Sequence, residues 1–200
     1  MQEEQQQNTA IIILAAGRSM RMGSPKQLLK YRNKSLLQHT IDIALESQVQ
    51  KVIIVLGYEA GEIESQIHKK SALIMKNPEW DSGMASSIRR GIDFLQKQEP
   101  IVDNVLIMVC DQPHVSKELI TLMIHTHKES NNSIIACTYA NTLGTPVLFH
   151  NQHFEELSQL TGDRGAKSIL NKYAGSIVTI PVELGSIDID TSENYKNLIE

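Results

Sequence analysis

The sequence contains few aromatic residues and no long hydrophobic run, and both absences limit what the protein can do. Phe, Trp and Tyr make up 4% of the 200 residues, whereas single-stranded nucleic-acid binders depend on aromatic stacking surfaces. The formal net charge of −4 also disfavours a general nucleic-acid-binding protein, which needs a basic face. No apolar stretch approaches the ~20 residues that a transmembrane helix requires.

The chain also lacks the signs of a secreted or cysteine-rich metal-binding protein. Its two cysteines, Cys110 and Cys137, have neither metal-site spacing nor a disulfide framework. Residues 1–9 are rich in Glu and Gln and lack the basic and apolar regions of a signal peptide. We therefore expect a cytoplasmic protein with reduced thiols, in which residues 1–9 are a disordered lead-in to a single domain over residues 10–200.

Short β-branched runs alternate with helical patterns along much of the chain. The runs predict seven strands, at Ala10–Ala15, Lys51–Leu56, Ala72–Met75, Val105–Val109, Ser133–Thr138, Pro146–Phe149 and Ile177–Ile180. Apolar residues at helical spacing lie between the first five strands. This alternation predicts an α/β fold, with a three-layer α/β/α, Rossmann-like arrangement around a mostly parallel, twisted sheet.

Polar residues mark the starts of three predicted helices. Ser35, with Gln38 three residues later, fits a capping box. Asp81 or Ser82 is the expected cap of a later helix, and another helix should start near Ser116.

The loop after the first strand lacks the two commonest phosphate-binding motifs. A Walker A loop has four residues between its glycines and then Lys-Ser or Lys-Thr, whereas Gly17 and Gly23 are separated by five residues and Ser24-Pro25 precede Lys26. The dinucleotide fingerprint is also absent, because Ser19 stands where its second glycine belongs.

The same loop nevertheless has the composition of a polyphosphate site. Backbone amides from Ala16 to Gly23 can converge on an anion, and Arg18, Arg21 and Lys26 add positive charge. Arg18 is the weaker candidate, because it can point to solvent. The alternative is an ordinary basic surface loop between a strand and a helix.

Further polar residues follow the carboxyl ends of other predicted strands, where ligands bind in such sheets. Asp111 ends an apolar strand and faces the basic loop, as a magnesium ligand would, or is a turn or capping residue. Gly83 opens a helix whose Ser86 and Ser87 can hydrogen-bond a base or ribose. That segment can also be a plain capped helix start, with Trp80 as a packing residue.

Six segments together resemble a known family. They are LAAGRSMRMGSPKQLL at Leu14–Leu29, NPEWDSGMASSI at Asn77–Ile88, CDQP at Cys110–Pro113, GTPVLF at Gly144–Phe149, GDRGAK at Gly162–Lys167 and DIDTSENY at Asp188–Tyr195. In this order they resemble the molybdenum cofactor nucleotidyltransferases, and most closely the cytidylyltransferase branch. The resemblance implies a nucleotide-diphospho-sugar transferase-like fold, with a nucleotide-binding half at residues 10–130 and an acceptor-binding half at residues 131–200.

The resemblance also implies a reaction and its site residues. CMP would pass from CTP to molybdopterin that already carries molybdenum, for enzymes of the xanthine dehydrogenase type, with magnesium or manganese as the metal. Arg21, Lys26 and Asp111 would be catalytic, and Asp111 would bind the metal with Asp190, or with Asp188 as the alternative. Both late aspartates can instead be helix caps. The residues expected at the nucleotide are Leu14, Ala15, Ala16, Gly17, Gly23, Gly83, Ser86 and Ser87.

The acceptor site is expected in the second half of the chain. The loop 162–167 has paired glycines and two cations, which suit the phosphate of the pterin. A charged turn is the alternative there, and the residues around Thr145 either shape the pterin pocket or form a turn. The acceptor-binding residues are therefore expected to be Gly144, Thr145, Pro146, Gly162, Asp163, Arg164 and Gly165.

One position bears on the choice of base. Guanylyl-transferring relatives usually have Leu-Ala-Gly-Gly where this chain has Leu14-Ala15-Ala16-Gly17, so the Cβ of Ala16 would favour CTP over a purine, unless it faces the core. The competing functions are GTP-dependent guanylyl transfer, nucleotidyl transfer to a sugar phosphate, and a non-catalytic cofactor carrier or maturation factor.

Overall fold

The computed structural model describes residues 8–47, 49–68, 71–139, 142–182 and 188–199. Its strands are β1 (Thr9–Ala15), β2 (Lys30–Tyr31), β3 (Lys34–Ser35), β4 (Lys51–Leu56), β5 (Leu73–Lys76), β6 (Asn104–Val109), β7 (Ile134–Tyr139), β8 (Thr142–His150) and β9 (Val178–Pro181). Its α-helices are α1 (Leu36–Glu46), α2 (Ala60–Ser65), α3 (Met84–Leu95), α4 (Lys117–Ser130), α5 (Phe154–Ser158), α6 (Lys167–Lys172) and α7 (Ser192–Ile199).

One seven-stranded sheet has the order β5-β4-β1-β6-β8-β7-β9, and β2 and β3 form a separate hairpin. β1 is parallel to both neighbours, β4 and β6, and β8 is antiparallel to β6 and β7. The chain passes from β1 to β4 and β5 on one side, then returns to β6 on the other. In sheets of this kind such a reversal of direction creates a crevice at the carboxyl ends of the strands.

The sheet is buried on both faces. Ile11 and Ile13 of β1 pack with apolar residues of α1, α2 and α4, whereas Ile12 and Leu14 pack with those of α3, α5 and α6. Burial on both sides explains why β1 is apolar throughout. The predicted three-layer, mostly parallel α/β fold is confirmed.

The predicted helix starts agree with the structure only in part. The hydroxyl oxygen of Ser35 accepts a 3.1 Å hydrogen bond from the Gln38 amide, but the Gln38 side chain bonds Asp42 and His68 instead of closing a capping box. Ser116 caps α4 as expected. The prediction of Asp81 or Ser82 as the cap of α3 is wrong, because residues 80–82 form a 3₁₀ turn and Gly83 precedes the helix.

The N-terminal boundary also differs from the expected one. Most of the predicted lead-in, residues 1–7, lies outside the described residues. The Asn8 amide donates to Asp103 at 2.9 Å and Thr9 begins β1. Within the described ranges, no helix is both long and apolar enough to cross a membrane.

Candidate active site

A cleft of about 340 Å³ opens at the carboxyl ends of β1 and β6. It therefore occupies the crevice where the strand order reverses. The predicted site residues that line it are Leu14, Ala15, Ala16, Gly17, Lys26, Gly83, Ser87, Asp111 and Asp163. Ala16 is among them, although only 7% of its surface is exposed.

The loop after β1 is held in shape by a buried glutamine that the sequence analysis did not single out. The Gln27 amide nitrogen donates 2.9 Å hydrogen bonds to the carbonyls of Ala15 and Gly17, across the base of the loop. Ser19, whose φ is +56°, accepts a 3.1 Å bond from the Lys26 amide. The Met22 amide donates to the Ser19 carbonyl at 2.9 Å, so this one amide is already engaged and is not free for an anion.

Lys26 is the central charge of the cleft. Its ammonium group forms a short ion pair with Asp111 and donates to Asp190 Oδ1 at 3.0 Å. Burial alone would lower the pKa of Lys26, but the charge of Asp111 and the hydrogen bonds to Asp111 and Asp190 raise it above its usual range. The sequence predicts that Lys26 contacts the phosphates. In the structure its ammonium group lies between the two predicted metal ligands and bonds both.

The two carboxylates fit a divalent metal that also binds phosphate. Asp111 Oδ1 is buried and has no hydrogen-bond partner among the described residues, so one coordinating oxygen is available. The Ile189 amide donates to the Asp111 carbonyl at 3.0 Å, which fixes the late acidic segment beside β6. Mg²⁺ commonly takes one or two carboxylates and completes its shell with water and phosphate oxygens. In the described part of the chain, no cluster of three or more His, Cys, Asp or Glu residues suited to a metal occurs.

Neither late aspartate caps a helix. Thr191 precedes α7, and its hydroxyl oxygen accepts a 3.1 Å hydrogen bond from the Asn194 amide. Asp188 instead accepts a 3.0 Å bond from Gln112. Burial raises the pKa of the Asp188 carboxyl above its usual value. The negative charges of Asp111 and Asp190 raise it further, whereas the hydrogen bond from Gln112 opposes this by lowering it. The acidic segment 188–190 therefore lies next to the cleft, beside Asp111.

Gln112 connects the end of β6 to the second half of the chain. Besides Asp188, it accepts a 2.9 Å hydrogen bond from Thr145 and lies 3.4 Å from the Tyr139 hydroxyl. A Cβ on Gly144 would lie 2.0 Å from that hydroxyl oxygen, so a larger residue there would displace the Tyr139 ring. Gly144, Thr145 and Pro146 are part of β8 and not a turn, and they do not line the cleft.

The loop 162–165 packs against the start of α3. A Cβ on Gly83 would lie 2.4 Å from Asp163 Oδ1, and the Gly162 carbonyl accepts a 3.1 Å bond from the Ala85 amide. Gly165 lies against the Met84 side chain. Asp163 lines the cleft, whereas Gly162, Arg164 and Gly165 do not line it.

The two serines of α3 differ in placement. Ser87 lines the cleft, and its hydroxyl oxygen accepts a 3.0 Å hydrogen bond from Asn77. Ser86 points inward, where its hydroxyl lies 2.9 Å from the Glu79 carbonyl and 2.8 Å from the Gly83 carbonyl, and accepts from Asn77 at 2.8 Å. Ser86 therefore shapes the loop and is not on the cleft surface.

The remaining basic-loop residues lie at different depths. Arg18 lines the cleft with its guanidinium 5.3 Å from the centre of the Tyr58 ring. Arg21 has a side chain that is 77% exposed and lies 3.8 Å from Asp190. Gly23 lines a neighbouring cavity of about 310 Å³ instead.

Two further residues of the cleft were not predicted as functional. Trp80 lines it, although packing was the simpler expectation for this side chain. Cys110 also lines it, but burial and the nearby Asp111 carboxylate raise the pKa of its thiol to about 12. Cys110 is therefore protonated at neutral pH and unsuited to act as a nucleophile.

The chain is similar over most of its length to known proteins. The chain is 26% identical to the nicotine blue oxidoreductase of Paenarthrobacter nicotinovorans, over 94% of this chain and 95% of that protein. It is 25% identical to a probable molybdenum cofactor guanylyltransferase of Bacillus mycoides strain KBAB4, over 92% of each chain.

Solved structures show the same fold. Rv0371c of Mycobacterium tuberculosis H37Rv superposes with a TM-score of 0.83 at 29% identity, over 96% of this chain and 98% of that one. A manganese complex of Rv0371c gives a TM-score of 0.80 at 27% identity, with the same coverage. The model of the MobA-like NTP transferase domain matches residues 11–177. The chain therefore belongs to the MobA-like NTP transferase family.

Proposed function

We propose that this protein transfers CMP from CTP to molybdenum-loaded molybdopterin and releases pyrophosphate. One observation carries the proposal: the cleft at the strand reversal joins the glycine-rich basic loop to Lys26 and to the carboxylates of Asp111 and Asp190. A triphosphate needs both, because its charge must be neutralised and its phosphates aligned. The molybdenum-cofactor relative supports the choice of acceptor class.

The triphosphate is assigned to the loop between Ala16 and Gly23. Gln27 holds the loop carbonyls of Ala15 and Gly17, and this leaves the loop in a fixed shape before a ligand arrives. Lys26, and Arg21 from the rim, neutralise charge on the phosphates and on the departing pyrophosphate. Asp111 and Asp190 would hold magnesium or manganese, which when bound supplies further neutralisation of the phosphate oxygens.

The chemistry requires little from the protein beyond this. A phosphate oxygen of the pterin attacks the α-phosphorus of CTP, a new P–O bond forms, and the bond to the β-phosphate breaks. The second pKa of a phosphate monoester is about 6, so the attacking oxygen is already ionised near neutral pH. No residue need act as a general base, which is consistent with the protonated Cys110 in the cleft.

The base and the acceptor are assigned to neighbouring parts of the cleft. Ala16 is one of the residues that line it, and its methyl group would take space that a purine uses, which favours CTP. We assign the pterin to the side of the cleft that Asp163 lines. Thr145 donates a 2.9 Å hydrogen bond to Gln112, so the residues around Thr145 would act on the cleft through Gln112, just after β6. A transient contact with a xanthine dehydrogenase-type enzyme would then deliver the product.

Pyrophosphate release tests the proposal directly. CTP, GTP, ATP and UTP are supplied in turn with magnesium, with and without molybdenum-loaded molybdopterin. We expect release with CTP alone, and only when the pterin is present. Release with GTP alone would retain the mechanism and overturn the role of Ala16. Release with a sugar phosphate as acceptor would overturn the pterin assignment. Tight pterin binding without release from any nucleotide would identify a cofactor carrier.

A further inference from the structure

A tryptophan forms part of the cleft wall. Trp80 is the only tryptophan of the chain, and its side chain is only partly buried because it faces the cleft. Tryptophan side chains are large and seldom fully buried, so what distinguishes this one is where it is exposed. Its exposed part lies at the wall of a ligand-sized cleft, where it can contact a ligand.

The backbone is shaped to seat this side chain beside the end of β1. A Cβ on Gly57 would lie 2.4 Å from Trp80 Cβ and 2.8 Å from the Ala16 carbonyl oxygen. Only glycine at the end of β4 therefore lets Trp80 come this close. Trp80 and Ala16 therefore both lie against Gly57. Ala16 immediately precedes the loop that starts at Gly17.

Tyr58 contacts the indole directly, and Arg18 contacts Tyr58. The Tyr58 ring meets Trp80 edge-on, with centroids 5.4 Å apart and an interplanar angle of 70°. The Arg18 guanidinium in turn lies 5.3 Å from the Tyr58 centroid. Edge-to-face and cation–π contacts of this kind have preferred orientations. The indole is therefore fixed before a ligand enters.

We propose that Trp80 is the stacking surface for the nucleobase of the triphosphate, and that Tyr58 and Arg18 are positioning residues that hold it. The inference rests on the proposed function and specifies how its nucleotide is recognised. Ala15 and Ala16, at the end of β1, line the same cleft as the indole and have small side chains. A base placed there would have its phosphates at the next loop, which begins at Gly17.

Because Trp80 is the only tryptophan, its fluorescence reports the site without interference. Mg·CTP is titrated into the whole protein without acceptor, and magnesium tripolyphosphate is titrated in parallel. We expect a saturable fluorescence change with CTP and none with tripolyphosphate, although calorimetry detects binding of both. Equal changes with both ligands, or a change with the pterin acceptor alone, would overturn the stacking role.

Variants of the same residue provide the second test. Trp80→Leu removes the ring, and Trp80→Phe keeps a smaller one. Loss of base stacking is expected to weaken CTP binding by roughly 5- to 150-fold in Trp80→Leu. The loss should be smaller in Trp80→Phe, and tripolyphosphate affinity should be unchanged in both. Circular dichroism checks folding, and Trp80→Phe serves if Trp80→Leu does not fold.

The outcomes separate this inference from the proposed function. If the wild type turns over and Trp80→Leu binds CTP as tightly as the wild type, the stacking role is wrong and the transferase reaction stands. If CTP binds and changes the fluorescence of Trp80 but no acceptor is modified, the stacking role stands and the transferase reaction is wrong.

Discussion

At the scale of single residues, the ammonium group of Lys26 has two roles, and it cannot make the contacts of both at the same time. In the structure it neutralises Asp111 and Asp190, whereas in the proposed reaction it neutralises phosphates. A cation at the acid pair would free the ammonium group for the triphosphate. The sequence shows which residues carry charge in this loop, but it does not show which of them pair when no ligand is present.

Replacing Lys26 tests this exchange. Lys26→Met leaves two carboxylates facing each other, so we expect roughly 1–3 kcal/mol less stability without metal, the usual cost of an uncompensated charged group. Thermal unfolding with increasing Mn²⁺ should then show a larger stabilisation of Lys26→Met than of the wild type, because the metal replaces the ammonium.

A matched control is available at another lysine–aspartate pair. Lys34 pairs with Asp42, away from the residues that line the cleft. Lys34→Met should therefore respond to Mn²⁺ as the wild type does. If Mn²⁺ stabilises Lys26→Met no more than Lys34→Met, the acid pair is not the metal site.

Asp111 is the residue on which catalysis should depend most. Asp111→Asn keeps the shape of the side chain and removes its charge, so it should lower turnover at least ~100-fold, as the loss of a main electrostatic contact does. Turnover is measured by pyrophosphate release at saturating CTP and acceptor. Asp93→Asn, an exposed position on α3, is the control and should retain full activity. Near-normal turnover of Asp111→Asn would remove Asp111 from the metal site.

At the scale of elements, the apolar, β-branched runs identified all seven strands of the main sheet. It did not identify the direction of β8, because side-chain alternation is the same in parallel and antiparallel strands. It also missed the β2–β3 hairpin, whose turn residues Arg32 and Asn33 have positive φ but lack the glycine typical of such turns.

The start of α3 shows why the cap was misassigned. Asp81 and Ser82 are good capping residues by type, yet a 3₁₀ turn uses them and Gly83 takes the cap position. What selects glycine is tertiary contact, since the loop 162–165 lies against it. A contact between residues 80 positions apart leaves no trace in local sequence.

Gly83→Ala should therefore disrupt both the start of α3 and the loop 162–165. Gly83 has φ of +105°, and a Cβ there would lie 2.6 Å from the Gly162 backbone. Backbone strain alone costs roughly 1–3 kcal/mol, and displacement of Asp163 should raise KM for the acceptor. Urea unfolding and steady-state kinetics measure the two effects.

Gly61→Ala is the matched substitution for this test. Gly61 lies in α2 with nothing within 4 Å of its added Cβ, so alanine should stabilise the protein by about 0.5–1 kcal/mol. If Gly83→Ala has the same free energy of unfolding as Gly61→Ala, the loop 162–165 moves aside without a loss of stability and the prediction is wrong.

At the scale of the whole molecule, buried histidines in different layers share one electrostatic property. His127 on α4 and His153 after β8 are 4% and 3% exposed. Burial lowers the pKa of both histidines. The hydrogen bond to Asn132 partly offsets this in His127, and the negative charge of Glu156 partly offsets it in His153. Burial also lowers the pKa of His39 and His114. The folded chain therefore resists protonation at several places at once.

Stability should consequently fall as the solution is acidified below the pKa of an unfolded histidine, about 6.5. Over that range the unfolded chain binds protons that the folded chain does not, so the free energy of unfolding decreases as the pH falls towards the lowered folded values. Urea unfolding between pH 7.5 and 5 measures the slope, and a double variant, His127→Gln with His153→Gln, should reduce it. His125→Gln removes a histidine that is 64% exposed and should leave the slope unchanged. A slope equal in the double variant and the wild type would assign the acid sensitivity to other groups.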